Sequence, residues 1–217
     1  MANRKTKNGA GSGCPWPWPR DSLSIYLNHR TANRARTAIA KREMAETAED
    51  CAKYEELLAE GLRYASRAAF REAMDWRRAA RALCEAIALR PDEPMAYFNL
   101  GSVLSGSGRE AESAQRFLEA MGRFPVGSEP WAKATSSAFD MLTEKECGEA
   151  ATPEWWDDEG LKALSVRVVE AAPNYVKANK MRAVVLDGSS VVAWEVGPRS
   201  SAELKEAAAH YEQVSKS

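Results

Sequence analysis

The sequence has few of the residues that usually support metal binding or nucleophilic catalysis. It contains two histidines, His29 and His210, and four cysteines, at positions 14, 51, 84 and 147, with no CxxC spacing among them. A zinc site or a catalytic triad needs its members close together, so this scatter argues against both. We therefore expect reduced thiols, no metal, no other cofactor and no catalytic residue.

Long apolar runs and nucleotide-binding motifs are also missing. No window of about 18 residues is both apolar and uncharged, which predicts no membrane-spanning helix. The N-terminus lacks the apolar stretch of a secretory signal. Neither GxGxxG nor GxxxxGK[ST] occurs, so nucleotide binding has no support. We expect an intracellular protein, with the cytoplasm as first expectation and organelle targeting by the basic N-terminus left open.

Strand-forming residues do not gather into alternating runs. The best stretch is Val184-Val185-Leu186, followed by Val191-Val192, and it is too short to build a sheet. Alanine, leucine, glutamate, lysine and arginine dominate, and these residues lose little side-chain freedom in a helix. With 45% hydrophobic residues the chain has enough apolar surface for a core. The sequence predicts an all-α fold.

The charge of the chain is unevenly distributed. Residues 1–42 carry nine basic side chains and one acid, a net charge of +8, so the remainder carries −9 within a total of −1. Glycines at 9, 11 and 13 and the run Pro15-Trp16-Pro17-Trp18-Pro19 disfavour regular structure at the start. We expect residues 1–30 to be a disordered basic arm, and residues 31–217 to be the helical domain, with a helix from Ala32 to Met74. An apolar stripe at mixed three and four spacing is expected along this helix, made by Ile39, Met44, Tyr54, Leu57, Leu58, Leu62 and Phe70.

The strongest pattern is one 34-residue unit from Pro94 to Gly127. One group of residues shares a face of a first helix, Gly108 ends that helix, and a second group shares a face of a second helix. The groups are Tyr97, Leu100, Gly101 and Leu104, then Ser113, Phe117 and Ala120. Small residues at 101 and 120 allow a close approach of the two helices, and Phe117 fills the gap between them.

Together with Pro125, these residues resemble the tetratricopeptide repeat position for position. The resemblance implies a right-handed α-solenoid of three to four helix pairs. Its other units are partial: about 57–93, then 128–175 with an insertion at 143–160, then 176–217 with an insertion at 187–199. A capping box at Ser200 to Glu203 opens the last helix. No polar capping helix follows it, so we expect either a longer gene product or a last face that pairs with something, including a second copy.

In a tetratricopeptide array the first helix of each pair lines a concave groove that binds extended peptides. By that resemblance the groove positions here are Met95, Phe98, Asn99, Ser102, Lys133, Ser136, Lys177 and Lys180. Three lysines would make the groove locally positive, which predicts a protein partner with an acidic segment. Only Asn99 and Lys133 match the set with which some family members grip the carboxyl terminus of large chaperones, so we do not expect that clamp.

Other interpretations stay open. The acid cluster of Glu154, Asp157, Asp158 and Glu159 could bind a divalent ion, but we favour a role beside a helix N-terminus, with Trp155-Trp156 anchoring the insertion. The array could be the substrate-recognition region of a larger enzyme, such as a glycosyltransferase or methyltransferase, whose catalytic domain lies elsewhere. RNA binding through the basic arm is a third interpretation, which the acidic remainder disfavours.

Overall fold

A computed structural model describes residues 20–68, 73–144, 153–189 and 194–216, and every regular element in these ranges is an α-helix. The prediction of an all-α fold is confirmed for them. None of these helices has a stretch that is both long and apolar enough to cross a lipid bilayer. The helices are α1 (Arg20–Ala68), α2 (Ala73–Leu89), α3 (Pro94–Gly106), α4 (Glu110–Arg123), α5 (Glu129–Leu142), α6 (Asp158–Ala171), α7 (Val176–Asp187) and α8 (Ser201–Ser215).

The chain divides into two units, residues 1–48 and residues 49–217. In the first unit α1 begins at Arg20, twelve residues before the predicted start at Ala32 and inside the expected arm. Ile39 and Met44, expected to belong to an apolar stripe, are both exposed.

Helices that follow one another pack together in the second unit. Contacts join α2 to α3, α3 to α4, α4 to α5, α5 to α6, α6 to α7 and α7 to α8, and α5 also contacts α7. In the part of α1 that belongs to this unit, Tyr54 and Leu57 are buried against Ala82 and Ala86 of α2. Sequential packing of this kind is what a chain of helix pairs requires.

Helices α3 and α4 meet where the sequence places glycine opposite phenylalanine. A Cβ atom at Gly101 would lie 2.9 Å from the Phe117 ring, so only glycine allows this separation. The Ser113 hydroxyl donates to the Gly101 carbonyl oxygen at 2.8 Å, which fixes the same contact. In the turn between the helices Gly108 has φ 75°, a conformation that favours glycine. The predicted roles of these residues are confirmed.

The pairs α3/α4 and α7/α8 share a further arrangement. In the first pair the Pro91 carbonyl oxygen accepts from the Tyr97 hydroxyl of α3 and from Arg123 Nε of α4, both at 2.9 Å. In the second pair the Pro173 carbonyl oxygen accepts from Asn179 Nδ2 of α7 at 2.8 Å and from Gln213 Nε2 of α8 at 2.9 Å. Different side chains thus tie the same kind of loop to both helices that follow it.

The structure also confirms the capping box that opens α8. The Glu203 backbone N–H donates to the Ser200 side chain, and the Glu203 carboxylate accepts from the Ser200 backbone N–H. Several other expectations lie outside the described residues: the Gly/Pro/Trp part of the arm before residue 20, Phe70, Cys14, Cys147, and the central parts of both insertions, 145–152 and 190–193.

Two helical glycines give a matched test of the α3–α4 contact. Gly101→Ala must displace the buried Phe117 ring, and we expect it to lower the free energy of unfolding by about 1–3 kcal/mol. At Gly122 an added Cβ meets nothing within 4 Å. Gly122→Ala should therefore raise the free energy of unfolding by about 0.5–1 kcal/mol, the ordinary gain of alanine in a helix. Urea denaturation of both variants measures the difference, and equal effects would contradict the packing argument.

Candidate functional site

The most concentrated charge in the predicted groove lies where α5 packs on α7. Lys177 Nζ lies 3.3 Å from Asp140 Oδ2, and Lys180 Nζ lies 2.9 Å from Asp140 Oδ1. Asp140 comes from α5 and both lysines come from the first turns of α7, three residues apart. The Asp140 side chain is 14% exposed, whereas those of Lys177 and Lys180 are 38% and 49% exposed. Two accessible cations thus share one sheltered carboxylate.

The third predicted lysine lies one turn into α5. Lys133 Nζ is 2.7 Å from Glu129 Oε1 and 5.7 Å from the centre of the Tyr175 ring. The hydrogen bond to Glu129 raises the pKa of Lys133, so this side chain stays charged. These three residues line a cavity of about 340 Å³ together with residues 171–174 of the α6–α7 turn. Ordinary clefts that bind ligands begin at about this size.

The remaining predicted positions differ in accessibility. On α3, Met95 and Ser102 are exposed, Phe98 is half-buried against Phe117, and Asn99 is almost fully buried. Among the described residues, no hydrogen bond or ion pair joins these α3 side chains to the three lysines.

Ser136 of α5 has no exposed surface, and its hydroxyl donates to the Ala132 carbonyl oxygen at 2.8 Å. Its predicted place on an open groove is therefore corrected, because the side chain is fully buried.

The face made by α5 and α7 thus carries three lysines and two carboxylates, Asp140 and Glu129. We call these five side chains the α5–α7 face. The sequence predicted a positive surface, and the structure leaves one positive charge in excess. Glu129 and Asp140 lie four residues before and seven residues after Lys133 on one side of α5, a spacing that shows in the sequence. That Asp140 faces α7 does not show there, because it depends on how the two helices pack.

The segment before α6 and the segment after α7 contact each other. The tetratricopeptide resemblance implies that these are two separate insertions. Trp156 before α6, Trp194 after α7 and Phe139 of α5 form a triangle of rings with centroid distances of 5.6, 5.9 and 6.0 Å. Trp155 packs on Trp156 at 5.8 Å. The prediction that the tryptophans anchor the insertion is confirmed, and its physical reason is the large apolar area that aromatic rings bury.

Two residues of the acid cluster, Asp157 and Asp158, stabilise the same region at the start of α6. Asp157 caps α6 by accepting from the Gly160 backbone N–H at 2.7 Å. Asp158 accepts from Arg199 Nη1 at 2.7 Å and from Trp194 Nε1 at 3.3 Å, and it pairs with Lys162 at 3.2 Å. Hydrogen bonding from Arg199 is the main reason why the pKa of Asp158 lies well below its usual range. No group of three or more potential metal ligands occurs within the described ranges.

His210, the one histidine whose side chain is described, has a structural environment. Its Nδ1 lies 2.8 Å from Asn179 Oδ1, and its Nε2 lies 3.7 Å from the Glu206 carboxylate. Burial lowers the pKa of His210. The His210 ring therefore contacts Asn179, the side chain whose Nδ2 donates to the Pro173 carbonyl oxygen.

Comparison with known proteins gives no family assignment. The sequence matches no model of a protein family. A search of curated proteins also finds no match.

The Asp158 ion pair makes stability depend on pH in a predictable direction. Because the folded-state pKa of Asp158 is lowered, its stabilisation is present above the ordinary aspartate pKa of about 3.9 and is lost as pH falls further. We expect Asp158→Asn to lower the free energy of unfolding by about 2–3 kcal/mol at pH 7. The gap to the wild type should shrink below about pH 4.

Urea denaturation at a series of pH values measures this gap. Asp92→Asn removes an exposed carboxylate without a described ion pair and is the matched control. A gap for Asp158→Asn that stays constant from neutral to acid pH would contradict the assignment.

Proposed function

We propose that this chain is a protein-interaction module that holds a segment of a partner polypeptide against the α5–α7 face. The observation that carries the proposal is the convergence of Lys177 and Lys180 on Asp140 beside the Lys133 cavity. These three lysines are all at least one-third exposed, so a partner can reach them. One charge remains in excess for an incoming carboxylate.

We further propose that the helices form tetratricopeptide-type pairs, three to four in number, in a right-handed solenoid. The matching ties around the Pro91 and Pro173 carbonyl groups support this, because they occur at the start of the first helix in two separate pairs. In such an array α3, α5 and α7 are successive first helices. The contact between α5 and α7 is in keeping with that arrangement.

The chemistry of the α5–α7 face favours a partner segment with carboxylate side chains. A carboxylate that approaches Lys180 competes with Asp140 for the same cation, so the net gain per contact is modest. Charge then contributes mainly to the rate of encounter and to register, while apolar contacts contribute affinity. The exposed Val176, at the first position of α7, is an available apolar contact. An intracellular setting agrees with the free thiols of Cys51 and Cys84.

Two single substitutions should shift partner capture in opposite directions. Asp140→Asn removes the competing carboxylate and should increase capture of an acidic partner about two- to fivefold. Lys180→Glu adds repulsion and should decrease it by a similar factor. Single changes are preferable to reversal of Lys177 and Lys180 together, which would leave Asp140 without either cation.

The measurement is quantitative affinity capture from the source cell, with circular dichroism to verify that each variant is folded. Lys205→Glu, an exposed residue of α8 without a described ion pair, makes the same charge change elsewhere and should capture as the wild type does. A partner that all three variants retain equally binds outside the α5–α7 face.

A further inference from the structure

A second cavity, of about 690 Å³, lies at α2, the C-terminal half of α3 and the turn before α4. Its apolar lining comes from Ala80, Val103, Leu104 and the indole of Trp76. The lining also includes three arginines and one cysteine, besides Gly106 and Ser107, and these are Arg77, Arg81, Arg109 and Cys84. The combination of an apolar floor and cationic groups distinguishes this cavity from the mixed-charge α5–α7 face.

Two of the arginines at this cavity have no carboxylate partner among the described residues. Arg109 is paired with Glu112 by two hydrogen bonds, one of 2.7 Å, and Arg78, beside the cavity, lies near Asp75. Within the described part of the chain, no carboxylate pairs with Arg77 or Arg81. These two residues lie one turn apart on α2, where like charges repel each other and weaken the helix. An anion bound between them would relieve that repulsion.

The indole of Trp76 packs against the backbone of a glycine. A Cβ atom at Gly106 would lie 2.5 Å from Trp76 Cη2, so the ring rests directly on the last residue of α3. Trp76 is only partly buried and shows its remaining surface to the cavity. A partly exposed tryptophan beside guanidinium groups is a common anchor in protein recognition.

We propose that this cavity binds a short acidic peptide segment, in which an apolar side chain enters between Trp76 and Leu104 while flanking carboxylates pair with Arg77 and Arg81. Guanidinium groups suit carboxylates because their planar N–H donors can bind both oxygens. The site is separate from the α5–α7 face and does not rest on the function proposed for it.

A short peptide fits better than a nucleic acid. Residues 43–217 carry a net charge of −9, so most of the surface repels a long polyanion. A short segment brings only a few charges and keeps them next to the arginines. The apolar floor adds attraction for a side chain and none for a phosphate group.

Cys84 supplies a built-in reporter because it is an exposed free thiol in the lining of the cavity. In the full chain with Cys14→Ser, Cys51→Ser and Cys147→Ser, the rate of alkylation by iodoacetamide, a neutral reagent, measures access to Cys84. The probe is a short synthetic peptide with Leu-Phe between runs of glutamate. We expect it to slow the alkylation in a saturable manner, and raised salt to weaken this protection.

Variants in the same background separate charge from shape. Arg77→Glu and Arg81→Glu should each weaken the peptide about three- to tenfold. Gly106→Ala should also weaken it, because the added methyl group displaces Trp76 without changing any charge. Lys205→Glu and Lys180→Glu should leave protection unchanged, which keeps a failure of this site distinct from a failure of the α5–α7 face.

Three results would overturn the proposal. The first is no protection of Cys84 at millimolar peptide, and the second is protection that survives both arginine reversals. The third is equal or better protection by a glutamate-only peptide, by inorganic phosphate or by an RNA oligonucleotide, which would remove the role of the apolar floor and assign the arginines to another anion.

Discussion

The ion pair between Asp158 and Arg199 is the interaction on which the C-terminal half of the described structure depends. The Arg199 side chain is only 7% exposed, and a guanidinium so sheltered must have a counter-charge. Arg199 also donates to the Val185 carbonyl oxygen of α7 at 2.9 Å. The pair therefore connects the start of α6, the end of α7 and the entry of α8, and the Trp194 indole N–H donates to the same carboxylate.

The aromatic contacts beside this ion pair also determine the direction of Asp140 on the α5–α7 face. Phe139, which completes the ring triangle with Trp156 and Trp194, directly precedes Asp140 on α5. Neighbouring residues on a helix point about 100° apart, so the burial of Phe139 against the two insertions fixes the direction of Asp140. That direction places the carboxylate under Lys177 and Lys180. The segments before α6 and after α7 thus help to determine where the Asp140 carboxylate lies on the α5–α7 face.

The sequence predicts the helices better than the contacts between them. The glycine at 101 opposite Phe117, the capping box at Ser200 and the anchoring role of the tryptophans follow from spacing and residue type, and the structure has them. The meeting of the two insertions does not follow, because Asp158 and Arg199 are 41 residues apart and no local pattern joins them. The burial of Ser136 and the pairing of Lys177 and Lys180 with Asp140 depend on helix packing and do not follow for the same reason.

The number of positive side chains is therefore a poor guide to how strongly either basic region would attract an acidic segment. The α5–α7 face has three lysines, yet each lies beside a carboxylate of its own chain that an acidic partner must displace or share. The cavity beside α2 has two arginines, Arg77 and Arg81, whose charges no described carboxylate offsets. Desolvating and re-pairing an already paired cation gains little, whereas pairing an uncompensated one also removes repulsion between neighbours. An acidic segment would consequently gain more per contact at the arginines than at the lysines.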